Sequence, residues 1–564
     1  MVNVKNLFGM AVMATALVGC SSNDNLAPDG KDNVGKAGTA YAKFTIQLPT
    51  TNGTRTDGDP SFEGGTADEY AVKDAQLVIF EKTPASDGEG DYTFVETVPI
   101  GNLEPWNNQN DQGVTRYADI TAKLKNVALN DSGDKYYALF ILNNEGQTKV
   151  TLPTGGTYSA WNNENHAKSA ADFLKSTNGF YMANAPKYVA GDEPTTLVPI
   201  KGVYSTKAEA QNKPATTVYV ERGMAKVTIG SSTFDAEKPV TTSTNYAGDK
   251  VTITNWTLDV LNKTTFPVHK TDGLKTIWNQ TWASRFFDNT STEFKRVYWG
   301  VDPNYSGSAL SDITACKDQF YLVDPSGSSY NDNTQTFTWS TKDKPLYCLE
   351  NTFDINNMKQ GQTTRVLFKA TYTPAAVASE TDKTFFMIGN NPKIWTMTTL
   401  KQQIKNKVQE LLKSTSVSVT INAGADLLKA GSHKVTAADI TITGTTASLN
   451  YDELNTKLGL DNTPGIKTYK NGECYYIARI KHFNELTPWA SGQDLYGGDN
   501  EKYLGRYGVL RNNWYDLTVS KVSAPGYPDV PEVNPTEPDD EDTKFINVEV
   551  KILDWAKRSQ SIDL

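Results

Sequence analysis

The side chains that could bind a soft metal or act as a catalytic nucleophile are few: four histidines and four cysteines in 564 residues. His166, His269, His433 and His482 stand alone, none within four residues of another. A zinc site needs ligands at short, fixed spacings, and no C-x-x-C or H-E-x-x-H occurs. No nucleophile elbow or phosphate-cradling glycine loop is found either. A triad can draw its members from distant positions, but nothing selects a histidine for one. The acidic runs Asp57-Gly58-Asp59 and Asp539-Asp540-Glu541-Asp542 lack the spacing of a calcium loop. The expectation is therefore no catalytic residue, no metal, no cofactor and no enzyme activity. Cys316, Cys348 and Cys474 allow one disulfide with a thiol left over, or three buried free thiols.

Two positions do carry chemistry, both near the N-terminus. Lys5 precedes Leu7 to Val18, a mostly apolar run too short to span a bilayer, and the run ends in Gly19-Cys20 followed by a polar stretch. This resembles a bacterial lipobox, in which the Cys20 thiol takes the lipid and the cysteine becomes the mature N-terminus. An ordinary signal peptide with a chance cysteine is the alternative. The second position is Arg55, the single basic residue of a stretch from Thr51 to Gly65 that holds four glycines. Such a stretch reads as a mobile loop, the kind of backbone a protease can enter.

Elements on both sides of these positions show period-two alternation. Phe44, Ile46 and Leu48 alternate with polar residues, giving a first strand over 43–49 with one buried face. Further strands are expected over 75–80, 92–98, 136–142, 217–220, 226–229, 251–260, 334–340, 365–372, 416–421 and 474–480. A short helix is expected over 167–175, and a longer one over 398–412 with Leu400, Ile404, Val408, Leu411 and Leu412 on one face. Residues 523–543 carry five prolines and end acidic, so they read as an extended, semi-rigid spacer. Beyond them Ile546, Val548, Val550 and Ile552 alternate with polar residues, and the phase breaks at Leu553-Asp554-Trp555. So apolar a strand must pair with something, in its own chain or in another.

The balance of the chain agrees with a β protein. Tyr, Phe and Trp number 27, 21 and 11, while charged residues make up only 21%. A net charge of −10 argues against nucleic acid as a partner.

Several stretches together resemble the Mfa-type fimbrilins of the Bacteroidales, relatives of the FimA-like fimbrilins. They are Val220-Glu221-Arg222-Gly223-Met224-Ala225-Lys226-Val227, Tyr347-Cys348-Leu349-Glu350-Asn351-Thr352-Phe353 with Thr364-Arg365-Val366, and Cys474 to His482 with Leu510-Arg511-Asn512-Asn513-Trp514-Tyr515-Asp516-Leu517. The family often has His where this chain has Asn513. Thinner likeness covers 136–143 and 180–184.

The resemblance implies an all-β chain of two transthyretin-like sandwich domains with minor helices and a C-terminal donor strand. The expected divisions are a signal peptide over 1–20, a tether and removable first strand over 21–55, domains over 56–240 and 241–525, a linker over 526–543 and the donor over 544–564. It implies a lipoprotein precursor at the outer membrane and a mature form in an extracellular fimbria. An extracellular Arg-specific protease would cut after Arg55, leaving Thr56 as the new N-terminus, and the strand bearing Phe44, Ile46 and Leu48 would leave. Another copy's Ile546, Val548, Val550, Ile552 and Trp555 would then fill the groove. The implied partners are further copies of the chain, anchor and tip subunits, the protease and the membrane. Three readings stay open: a permanent first strand, an uncut Arg55, and a tail paired in its own subunit. The alternative function is a surface adhesin or glycan-binding lipoprotein, motivated by the eleven Trp.

Overall fold

The computed structural model describes residues 39–48, 66–103, 107–108, 116–188, 194–234, 237–240, 244–272, 274, 286, 295–305, 310, 312–352, 357–482, 504–539 and 546–553. Strand dominates these residues and the helices are mostly one or two turns long, so the expected β-rich class is the one adopted.

The N-terminal part is built on strands β1 (Ala40–Leu48), β2 (Ala75–Glu81), β3 (Thr93–Pro99), β4 (Arg116–Leu124), β5 (Tyr136–Leu142), β6 (Met182–Asn184) and β7 (Thr216–Arg222). With Asn107–Asn108 and Val198–Pro199 they form a nine-stranded sheet, ordered β3-β2-β5-β6-β7-β1-β4 along its main path. Alternation decides its faces. Leu77 and Ile79 of β2, and Ala138 and Phe140 of β5, enter one core, while Val78, Phe80, Leu139 and Ile141 enter another. The sheet curls around the first core. Phe44 of β1 meets Phe140 of β5 edge to face at 5.3 Å, although these strands are not sheet neighbours. At the seam, the Glu96 carboxylate of β3 accepts the backbone N–H groups of Lys125 and Asn126 just beyond β4.

The chain leaves this sheet at Gly223, where an added Cβ would stand 2.7 Å from the Phe173 ring. The next strand, β8 (Ala225–Ile229), belongs to the C-terminal part. That part adds β9 (Lys250–Asp259), β10 (Leu346–Cys348), β11 (Arg365–Thr373), β12 (Glu473–Arg479), β13 (Trp514–Val522) and β14 (Ile546–Leu553). One sheet runs β10-β8-β13-β14 and a second runs from Lys238–Pro239 through β9 and β11 to β12. Val227 and Leu517 from the first sheet meet Trp256, Leu258, Phe368 and Tyr476 from the second in the larger core.

Between β11 and β12, which are neighbours, the chain inserts a small sheet (Phe385–Ile388, Ile394–Trp395, Gly431–His433, Ile466–Tyr469) and the helix Met397–Leu412. Phe385 and Met387 face the main core; Phe386 and Ile388 face a separate core with Leu400, Ile404 and Val408. The helix period read from the sequence is thus the buried stripe of this insertion.

Two expectations need correction. Residues 334–340 form no strand. Their contact with β9 is a single bridge, Trp256 to Ser340, supplemented by Thr257 Oγ1 donating to the Thr338 carbonyl at 2.9 Å. Phe337 and Trp339 instead join an aromatic chain running from Tyr330 to Tyr475, so their alternation reflects ring packing. The helix expected over 167–175 contracts to Ala170–Phe173, capped by Ser169, whose hydroxyl accepts from Asp172 N. The three cysteines at 316, 348 and 474 are buried free thiols.

Candidate strand-exchange site

β1 lies inside the sheet, not at its edge. It pairs antiparallel with β4 over its full length, from Ala40 opposite Leu124 to Leu48 opposite Arg116. On its other side it pairs parallel with β7, Phe44 opposite Thr216 through Gln47 opposite Tyr219. Ala40, Ala42, Phe44, Ile46 and Leu48 are all buried. Tyr41, Lys43, Thr45 and Gln47 lie on the half-exposed face, where Thr45 Oγ1 donates to Asp119 and Lys43 Nζ to the Gln211 carbonyl. At about 1.5–3 kcal/mol for each large buried side chain, Phe44, Ile46 and Leu48 together contribute roughly 5–9 kcal/mol. Without β1, strands β4 and β7 would each present an unpaired backbone edge beside an open core.

Residues 49–65, Arg55 and Thr56 among them, lie outside the described residues, as do Cys20 and Trp555. The point where the chain returns is firmly fixed. Thr66 and Glu69 form a capping box at the helix Ala67–Tyr70. Glu69 is buried, its carboxylate 2.8 Å from Lys226 Nζ and accepting the Tyr347 hydroxyl at 2.6 Å. Its carbonyl accepts Arg222 Nε at 2.7 Å. Lys226 Nζ in turn lies 3.6 Å from the Trp514 ring centre on β13. Burial alone would raise the Glu69 pKa, but Lys226, Tyr347 and the Thr66 N–H outweigh it and hold the carboxyl below its ordinary 4.5. A depressed carboxyl contributes stability that is complete above the unfolded value and is lost as pH falls through the folded one. Glu69→Gln should therefore flatten the acid side of the stability curve below about pH 4.5. At neutral pH it should cost on the order of 3 kcal/mol, because Lys226 is left buried without its counter-charge. Thermal unfolding midpoints across pH 3–7, a window chosen around ordinary carboxylate values, check both. An unchanged acid slope would show that Glu69 is not the titrating group.

The C-terminal strand is seated on its own chain. β14 pairs antiparallel with β13, with Val548, Val550 and Ile552 opposite Val519, Leu517 and Tyr515. After a register shift between Val519 and Lys521, Ile546 stands opposite Val522. All four β13 partners are buried. Of the two partners open to so apolar a tail, its own chain and another, the strand here takes its own.

The described part of the spacer, 523–539, lies against the body. Tyr527 and Tyr475 exchange backbone hydrogen bonds, and the Gly526 carbonyl accepts the Tyr469 hydroxyl at 2.8 Å. The Arg365 guanidinium donates to the Pro531 carbonyl. Asp539 is buried and ion-paired to Arg506 at 3.3 Å.

The stretches that carried the family resemblance converge in space. Glu221 lies 2.8 Å from His269 Nδ1 and 3.2 Å from Arg296 Nη2. Arg296 donates to the Arg511 carbonyl at 2.7 Å, and Arg511 pairs with Glu350 at 2.7 Å. Arg222 donates to Asn512 Oδ1 at 2.9 Å. Glu221 and Arg222 come from β7, His269 and Arg296 from the chain between β9 and β10, Glu350 from just after β10, and Arg511 and Asn512 from just before β13, so the network joins the N-terminal and C-terminal parts. Burial would raise the Glu221 carboxyl; His269, Arg296 and Arg511 overcome it and lower it. Charged residues inside apolar strand runs were the signal for this network in the sequence, though partners up to 290 residues apart were not readable from it.

Residues 467–561 match a family model, the Major fimbrial subunit protein type IV, Fimbrillin, C-terminal. The resemblance to fimbrilins is thereby borne out. The matched segment contains β12, β13 and β14, and so the seat of the tail strand. No curated protein matches the chain. Among solved structures it is similar to one assigned to cell adhesion from Parabacteroides distasonis, at 11% identity and TM-score 0.37, covering 92% of this chain and 100% of that one. Another, with the same assignment, from Bacteroides eggerthii, shows 13% identity and TM-score 0.33 over 93% of this chain and 98% of that one. The tip fimbrial protein Mfa3 from Porphyromonas gingivalis, with C-terminal truncation, shows 10% identity and TM-score 0.27 over 92% and 100%. Likeness at this level assigns no role.

Among the described residues, no helix is long and apolar enough to cross a membrane and no acidic, His or Cys group is placed to hold a metal ion.

Proposed function

We propose that this fimbrilin-like chain is a structural subunit of a cell-surface fimbria that polymerises by exchange of strands. It is exported as a precursor lipidated at Cys20, and an Arg-specific extracellular protease cuts after Arg55. β1 then becomes a non-covalent insert and leaves with the lipid. The tail of another copy, Ile546 to Ile552 with Trp555, takes its place. The observation that carries this reading is the position of β1: an N-terminal strand in mid-sheet, parallel to β7, with its chain continuing into the stretch that holds Arg55. A groove in one copy and a donor in the next make a head-to-tail contact, which need not close and so builds a filament.

Arg55→Ala tests it. The variant precursor should fold, resist an Arg-specific protease at this stretch and give no filaments by electron microscopy. The wild type should yield filaments whose protein begins at Thr56. Filaments of protein still beginning at Cys20 would sink the proposal.

The alternative of an accessory or tip adhesin draws support from the pairing of β14 with β13 of its own chain. A subunit that keeps its tail ends a filament. Cleaved protein that caps preformed filaments without extending them would favour it.

A further inference from the structure

We infer that Asp539 is a positioning residue for strand exchange: its buried pairing with Arg506 fixes the root from which the tail departs, and so limits how far away the accepting subunit can sit. The inference rests on the fimbrial reading above and adds a geometric constraint to it.

Asp539 is held from several directions. Its carboxylate faces Arg506 Nη2 at 3.3 Å and accepts the Thr363 hydroxyl at 3.3 Å. Its carbonyl accepts Arg479 Nε at 3.1 Å and its N–H donates to the Met358 carbonyl at 3.1 Å. One residue upstream, Pro538 bridges to Lys359, and the Glu537 carbonyl accepts Gln360 N at 3.0 Å. Arg506 and Asp539 are both buried, so the pair is shielded from salt as surface pairs are not. Only residues 540–545 separate this point from β14. Seven Cα steps span at most about 25 Å. The Thr536 carbonyl, which accepts Lys359 Nζ at 3.1 Å, belongs to the same clasp. Were the whole clasp over 536–539 open, the next fixed contact upstream would be Asn534 N on Gln360 Oε1, twelve steps from Ile546, a reach of about 40 Å. The clasp thus shortens the tether by about 15 Å. A short tether raises the effective concentration of the donor at a nearby groove and restricts the angles between successive subunits.

Two variants separate this from a merely structural role. Asp539→Asn keeps the shape but removes the charge on which Arg506 pairs. A Gly/Ser insertion of about seven residues after Asp542 leaves the clasp untouched and adds up to about 25 Å of reach. After cleavage, both should still form filaments, with a broader distribution of bend angles between subunits in electron micrographs and a shorter persistence length than wild type. In the Asn variant the amides of Asp539 and Gln360 should also lose protection from hydrogen exchange. Filaments of either variant as stiff as wild type would overturn the inference. If wild-type protein forms no filaments after cleavage, the fimbrial reading itself fails, and this inference with it.

Discussion

Deleting residues 546–564 should abolish filaments while leaving a folded monomer that an Arg-specific protease still cuts. β14 is the outer strand of the sheet β10-β8-β13-β14, so its removal interrupts no strand order behind it. β13 keeps its parallel pairing with β8, from Lys226 opposite Trp514 to Ile229 opposite Leu517. Its inward residues Tyr515, Leu517 and Val519 keep their place in the large core. The monomer should therefore melt lower by several degrees without unfolding. Polymerisation loses its donor outright, and with it roughly 6–12 kcal/mol of apolar burial from four aliphatic side chains before ordering costs. Size-exclusion chromatography, circular dichroism and electron microscopy on cleaved protein check the two halves. Filaments from the truncated chain would remove the tail from the mechanism.

Phe44→Ala should act on the precursor alone. The Phe44 ring is fully buried and packs edge to face on Phe140. Truncating a buried Phe costs about 3–5 kcal/mol. If β1 leaves after cleavage, the mature subunit contains no residue 44, and its filaments should match wild type. Before release the cost weakens the hold on β1, so dissociation of the cut segment should speed up roughly 100- to 4,000-fold. Phe140→Ala is the counterpart: it stays in the mature subunit and should weaken precursor and filament alike. Mass spectrometry of the retained segment over time gives the release rate, and denaturant stability gives the rest. A mature Phe44→Ala filament as weakened as that of Phe140→Ala would mean that β1 never left.

How much of this was readable in advance depends on the range of the interaction. Phe44, Ile46 and Leu48 announce a one-faced strand because their period is two, and Leu400, Ile404 and Val408 announce a helix stripe because their steps are three and four. Both signals are local. That β1 lies parallel to β7 is not local, since Phe44 and Thr216 pair across most of the N-terminal part. The same holds for Glu69. It reads as one acid among many after a glycine-rich stretch, yet it fastens the chain to Lys226 and Tyr347. The spacer shows the opposite failure. Its prolines do keep 523–539 out of regular helix and strand, but their composition is blind to Arg365, Arg479 and Arg506, which bind it to the body. At 334–340 alternation itself misled, because Phe337 and Trp339 serve an aromatic chain and not a ladder.

The insertion between β11 and β12 leaves and re-enters the fold at neighbouring strands, Thr371 lying opposite Glu473. Its two ends are therefore about one strand spacing apart, close to 5 Å. Such a unit is a side branch on the chain's path, and a short turn would close the ladder in its absence. It touches neither β1 nor β14 in the sheet order. The exposed residues of such a branch can be exchanged while β11 and β12 stay paired, which makes it the natural seat for grafting an epitope or a second binding domain.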